Sequence, residues 1–263
     1  VGIAVGESKD LITALARYPI CLKCFKLYLQ WLERNIPTQR LSDYDLVKVI
    51  REGKVERLKM LEERLNESRS LLGLSEDEFA RTFFTNDLHV EDPEKVHDVL
   101  AEPLFAIDLR NNQFSEIQKL PNSIEVKGKF IPIADFVAVR NGIKFAIELK
   151  TIRTESSLKT NRNKTLEPAT EADWWQKMFL ANARTKIEDK DRRVLTQLEN
   201  TCKKYNCKAR LLGLYTRRLA VSTLMEPVEY REALQRLRAE YPVLDHLCCK
   251  NYHADVVIFE PEL

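Results

Sequence analysis

Apolar positions in the first third of the chain recur with the period of an α-helix. Cys21, Cys24, Phe25, Tyr28 and Leu32 fall on one face of a helix that starts after Pro19 and stops before Pro37. Val47, Ile50, Leu58, Leu61 and Leu65 give a second helical stretch an apolar side. Ser42 is placed to cap that stretch, with Asp45 three residues on, and Gly53 can break it. Ser75 and Glu78 form a full capping box that opens a short helix through Phe83 and Phe84. Residues 1–90 therefore read as a helical N-terminal region. Text such as Leu74 to Arg81 also occurs in helix-turn-helix modules, but no basic recognition helix comes after it.

Residues 91–263 mix the two periods. Pro93 to Leu104 reads as a helix and Ile124 to Ile131 as a first strand. From Ile131 to Thr151, runs rich in β-branched and aromatic residues flank Asn141-Gly142, the strongest short hairpin signal. A two-residue loop there pairs Arg140 with Ile143, and counting back sets Asp135 across from Glu148. Lys150 is two residues beyond Glu148 and shares its face. The opposite face carries Ala134, Phe136, Ala138, Phe145, Ile147 and Leu149 and reads as a core-facing surface. Thr170 to Lys186 reads as a helix with Trp174, Trp175, Met178 and Phe179 inward, and Asp189 to Tyr205 as another. Ala209 to Tyr215 is an apolar strand reached by a helical crossover, so it should run parallel to a neighbour. Pro227 to Tyr241 reads as helix and Ala254 to Phe259 as a final strand. The expected fold class is α/β (α+β), a mixed β-sheet flanked by helices.

Two carboxylates directly opposed on one sheet face repel each other. Their Cβ atoms stand about 5 Å apart, close enough to share one ion. A divalent cation turns that repulsion into a binding site. Mg²⁺ suits it, because that ion uses one or two carboxylates, several waters and substrate phosphate. Lys150 beside the pair can steady developing negative charge or orient an attacking water. The bland alternative is a solvated strand face with an ordinary Glu-x-Lys pair.

Asp135 followed by Glu148-Leu149-Lys150 resembles the motif of the PD-(D/E)XK nuclease superfamily, which has a restriction-endonuclease-like fold. The residue before Asp135 is Ala134, and the nearest proline is Pro132. The order of helix, three-strand meander, helix and strand extends the resemblance over residues 91–263. The resemblance implies cleavage of phosphodiester bonds dependent on Mg²⁺ or Mn²⁺, with Asp135 and Glu148 as ligands and Lys150 in the catalytic role. It also implies an acidic residue from the helix before the first strand. Glu94, Glu102 and Glu116 are candidates, and Glu102 is preferred because it ends the Pro93 helix. Gln197, on the helix face of Arg193, Thr201 and Lys204, is the implied substrate contact on the later helix. DNA is favoured over RNA through the resemblance alone, and a homodimer stays open.

Charge placement bears on the partner. Between Lys150 and Lys164 stand five basic residues, Lys150, Arg153, Lys159, Arg162 and Lys164, against one acid, Glu155. This loop leaves directly from the Glu148 strand and carries Ser, Thr and Asn to bond phosphate oxygens. From Lys203 to Arg218 there are six basic residues and no acid. Local excess of this kind is what a polyanion partner calls for, although the overall net charge is only +2.

Composition narrows the classes further. Hydrophobic content of 44% can fill a core, and no apolar stretch is long enough to span a membrane. The N-terminus has neither the basic start nor the apolar run of a secretory signal, and no initiator Met, as in a trimmed chain or fragment. Seven glycines, with no GxGxxG and no GxxxxGK[ST], argue against a glycine-rich phosphate loop. Six cysteines raise a metal reading. Cys21 and Cys24 sit within a helical pattern, and Cys202 continues the Val194, Leu198 and Tyr205 face, so buried free thiols in a reducing cytoplasm are expected. His246, Cys248, Cys249 and His253 have a spacing that could bind metal, with no second Cys/His pair nearby in sequence.

Together these features read as a cytoplasmic, metal-dependent nuclease, an endonuclease by resemblance, with a domain over 91–263. The alternative is a non-catalytic nucleic-acid-binding protein that retains the fold. A purely structural role requires both the hairpin register and the basic loop to be coincidence.

Overall fold

A computed structural model describes residues 6–84, 95–153, 171–189, 193–217, 227–251 and 257–261. The chain divides into two compact units, Val1–Asn111 and Asn112–Leu263. The boundary thus falls later than residue 90, where the sequence pattern sets it.

The first unit is helical. Its helices are α1 (Gly6–Leu15), α2 (Pro19–Asn35), α3 (Asp45–Arg51), α4 (Val55–Leu71), α5 (Glu76–Phe84) and α6 (Lys95–Asn111). The apolar face of α2 is buried as its period predicts, with Cys21, Cys24, Phe25, Tyr28 and Leu32 inside. No local side chain caps α2. The Glu62 carboxylate of α4 instead accepts the Ile20 and Cys21 N–H groups at 3.0 and 2.8 Å. The Ser75–Glu78 box forms as expected, with Glu78 Oε2 accepting the Ser75 N–H at 2.9 Å. The N-cap position of α3 is Tyr44 and not Ser42, where the sequence pattern sets it. The helix expected over Pro93 to Leu104 is α6, which runs on to Asn111. Glu102 is therefore half-buried in mid-helix and does not end it.

The second unit holds a six-stranded mixed sheet in the order β1-β4-β5-β6-β7-β8. Its strands are β1 (Ser115–Lys119), β4 (Phe136–Arg140), β5 (Ile143–Arg153), β6 (Ala209–Arg217), β7 (His246–Asn251) and β8 (Ile258–Glu260). The β1–β4 and β4–β5 pairs are antiparallel. The β5–β6 and β6–β7 pairs are parallel, as the helical crossover predicts for β6, and β8 returns antiparallel. A separate two-stranded hairpin, β2 (Ser123–Val126) and β3 (Lys129–Pro132), is inserted between β1 and β4.

Three strand expectations change. The single strand expected over Ile124 to Ile131 is that hairpin, because Lys127 and Gly128 turn the chain with φ of 52° and 74°. The first strand of the sheet is β1, where Glu116 sits in the left-handed region (φ 51°) beside a break in register. Glu116 is thus an exposed strand residue and not part of a helix. The segment read as a His/Cys cluster begins with β7. Alternation along this strand separates Cys248 from Cys249, both buried, while His253 lies outside the described residues.

Helices α7 (Glu171–Glu188), α8 (Val194–Tyr205) and α9 (Pro227–Glu240) cover one sheet face. Phe179, Leu180, Ala183 and Ile187 of α7, with Val194 and Leu198 of α8, pack there on Val137, Ala146, Ile152, Leu212, Leu214 and Leu247. Met178 and Phe179 are buried as expected. The side chains of Trp174 and Trp175 lie outside the described residues.

Candidate functional site

Asn141 and Gly142 adopt φ of 52° and 73°, the pair of positive values that a two-residue hairpin turn with matching twist requires. The register is the expected one, from Arg140 opposite Ile143 to Phe136 opposite Ile147. One step further, Asp135 is no longer in the ladder. Its side chain takes over, with Oδ2 accepting the Leu149 N–H at 2.8 Å. Its own carbonyl accepts the Leu120 N–H at 2.8 Å. The carboxylate is thereby fixed to β5 beside Glu148.

Glu148 and Lys150 occupy successive positions on one face of β5, flanked by Leu212 and Leu214 of β6. That is the helix-covered face; the opposite face, expected to meet the core, is buried as well, at Phe136, Ala138, Phe145, Ile147 and Leu149. β5 is an interior strand, and both of its faces are covered. Glu148 is 0% exposed and Lys150 8%. Glu148 Oε1 accepts a hydrogen bond from the Lys150 ammonium. Its Oε2 is buried and has no partner among the described residues. Burial first, then the Asp135 charge, raises the Glu148 pKa to about 8 against the opposing pull of Lys150. A buried carboxylate oxygen without a donor is costly.

Lys119, at the end of β1, joins the site without any sequence signal. Its ammonium stands 3.2 Å from Asp135 Oδ1, with its side chain only 7% exposed, and 5.1 Å from the centroid of the Phe136 ring. It is the counter-ion of Asp135 in this state. The irregular β1 has no alternating pattern to reveal it.

Helix α8 holds the segment that leads into Asp135. Asn200 Nδ2 donates to the Pro132 carbonyl at 3.0 Å, and Gln197 Nε2 donates to the Ile133 carbonyl at 3.2 Å. The Ala134 N–H donates to Thr201 Oγ1 at 2.7 Å. Gln197, expected as a substrate contact, is bound to the backbone, though its Oε1 finds no partner among the described residues. The roles of Asn200 and Thr201 are legible only once the helix is docked.

The remaining expected residues are scattered. Arg153 closes β5 opposite Arg217. Lys159, Arg162, Lys164 and Glu94 lie outside the described residues. Glu102 belongs to the first unit. In the second basic run, Lys203 pairs with Glu199 at 2.6 Å, and Arg210 donates to the Val243 carbonyl at 2.7 Å.

Among the described residues, no group of three or more His, Cys, Asp or Glu is placed to hold a metal. Asp135 and Glu148 still offer two carboxylates, one with an orphaned buried oxygen. That donor set suits Mg²⁺ or Mn²⁺, which complete their shells with water and substrate oxygen. No helix among the described residues is long and apolar enough to cross a membrane. The chain matches no protein-family model, no curated protein and no solved structure.

Proposed function

We propose that the Asn112–Leu263 unit is a metal-dependent nuclease of the PD-(D/E)XK superfamily, with a restriction-endonuclease-like core, that hydrolyses phosphodiester bonds of nucleic acid, DNA before RNA. The observation that carries the reading is the buried Glu148, whose Oε2 has no partner among the described residues, next to Asp135 and bonded to Lys150. A buried carboxylate oxygen without a donor calls for a partner, and a bound cation would supply one. The antiparallel β1–β4–β5 meander with a parallel β6 after it supports the reading, as the strand order of that core.

Asp135 Oδ1 and Glu148 Oε2 are the oxygens that would hold Mg²⁺ or Mn²⁺. When bound, the ion neutralises charge on the phosphate and makes a nucleophile of water. To hold an ion, Asp135 Oδ1 would have to give up Lys119, while Oδ2 keeps the Leu149 N–H. Lys150, tethered to Glu148 Oε1, orients the attacking water. The water oxygen bonds to phosphorus, the ester P–O bond breaks, and a proton passes to the leaving oxygen.

Purified protein should cut DNA with Mg²⁺ or Mn²⁺, and EDTA should stop it. Asp135→Asn and Lys150→Ala should each abolish cleavage and leave binding largely intact. The Lys119–Asp135 ion pair favours one other reading, a nucleic-acid-binding protein in which Lys119 has permanently taken the cation's place. Protein that binds DNA yet cuts no substrate form with either metal would establish that reading instead.

A further inference from the structure

The β2–β3 hairpin stands outside the main sheet. Ile124 pairs with Ile131 and is packed against the core on one side. Glu125 pairs with Phe130 on the other. Phe130 is 76% exposed, more than any other large apolar side chain among the described residues. Lys127 at the turn and Lys129 beside Phe130 are exposed as well, and Glu125 is the hairpin's one acid. A two-stranded hairpin is marginal by itself, and a Phe 76% exposed gains little from burial.

Single exposed apolar side chains are ordinary. Phe130 is set apart by its short, fixed connection to the carboxylate site. Four residues separate it from Asp135, so the two Cα atoms, about five steps apart, lie within about 18 Å even in a fully extended chain. The join is pinned, because Asn200, Gln197 and Thr201 bond Pro132, Ile133 and Ala134 in succession. The hairpin is therefore fixed relative to Asp135.

We propose that this hairpin is a nucleic-acid-binding arm, in which Phe130 stacks on an unpaired base of the strand engaged at Asp135, Glu148 and Lys150, and Lys127 and Lys129 meet flanking phosphates. The proposal rests on the nuclease reading above and adds where the strand is held. At about 3.4 Å per nucleotide, the stacked base lies within roughly five nucleotides of the bond at the site. Aromatic side chains serve this purpose without sequence preference, since every base has a π face.

The full chain, with Ca²⁺ in place of Mg²⁺, is titrated with a labelled single strand and with its duplex, and fluorescence anisotropy is read. Phe130→Ala should weaken single-strand binding by about 5- to 150-fold. Phe130→Trp should keep the affinity, and its added emission should be quenched on binding. Lys127→Ala and Lys129→Ala should each lower the salt slope by about 0.7. Phe130→Ala binding as tightly as wild type, or Phe130→Trp emission left unmoved, overturns the arm while the nuclease reading stands. Wild-type protein that binds neither strand form overturns both. A wild-type dimer that Phe130→Ala turns into a monomer makes this face an interface between two copies, and that also overturns the arm.

Discussion

Glu148 sets the chemistry at the scale of single residues. Its folded pKa of about 8 stands above the ordinary value of 4.5, with burial the largest cause and Asp135 the next. Between those values the folded protein holds a proton that the unfolded chain has released. This contribution to stability is thus full below about pH 4.5 and is lost as pH rises through 8. One proton gives at most about 1.4 kcal/mol per pH unit. Metal-free wild-type protein should accordingly lose melting temperature from pH 5 to pH 8.5. Glu148→Gln keeps the neutral shape and should flatten that loss. Parallel curves for the two proteins would show that Glu148 does not carry the proton. The pairing of Glu148 with Lys150 is legible from their spacing of two. The depth of burial is not, because it depends on helices that come later in the chain.

Among the elements, the β4–β5 hairpin is readable and the segments around it are less so. Asn141-Gly142 supplies the two positive φ values its turn needs, and the register comes from counting. Lys127-Gly128 makes a turn of the same kind with a lysine where Asn or Asp is the usual signal, so β2 and β3 merge into one expected strand. β1 is interrupted at Glu116, which hides its alternation. β7 is obscured because its cysteines suggest metal chemistry before strand packing. Helix α8 is legible as an element, but its hold on residues 132–134 is not, since hydrogen bonds to a distant backbone leave no periodic trace. That hold can be tested. Thr201→Val leaves the buried Ala134 N–H without its acceptor and should cost about 1–3 kcal/mol in urea unfolding. Thr201→Ser should restore most of it. A loss well below 1 kcal/mol in Thr201→Val would mean that the Ala134–Thr201 bond does not help hold the Asp135 segment.

At the scale of the whole molecule, the question is whether one ion at Asp135 and Glu148 stabilises the protein. The mixed sheet with helices on one face accords with the fold class read from the chain, and the basic loop from Lys159 to Lys164 lies outside the described residues. Within the second unit, the site joins β1 through Lys119, β4 and β5 through the carboxylates, and α8 through the pinned segment. A cation there would replace Lys119 on Asp135 and give Glu148 Oε2 its missing partner, and it would bind only where these elements are assembled. A ligand bound by the folded state alone stabilises by about 2.7 kcal/mol at a hundred times its Kd. For a unit of this size, each kcal/mol moves Tm by about 2–4 °C. Saturating Mn²⁺ should thus raise the wild-type Tm by roughly 5–10 °C, most strongly above pH 8, where Glu148 is ionised. Asp135→Asn and Glu148→Gln should each remove most of that rise. Lys119→Met, which deletes the competing cation, should reach the same rise at lower Mn²⁺. Wild-type melting that ignores Mn²⁺ at pH 8.5 would mean that the two carboxylates hold no ion. Lys119 would then be the permanent partner of Asp135, and the second unit would act on nucleic acid, if at all, by binding alone.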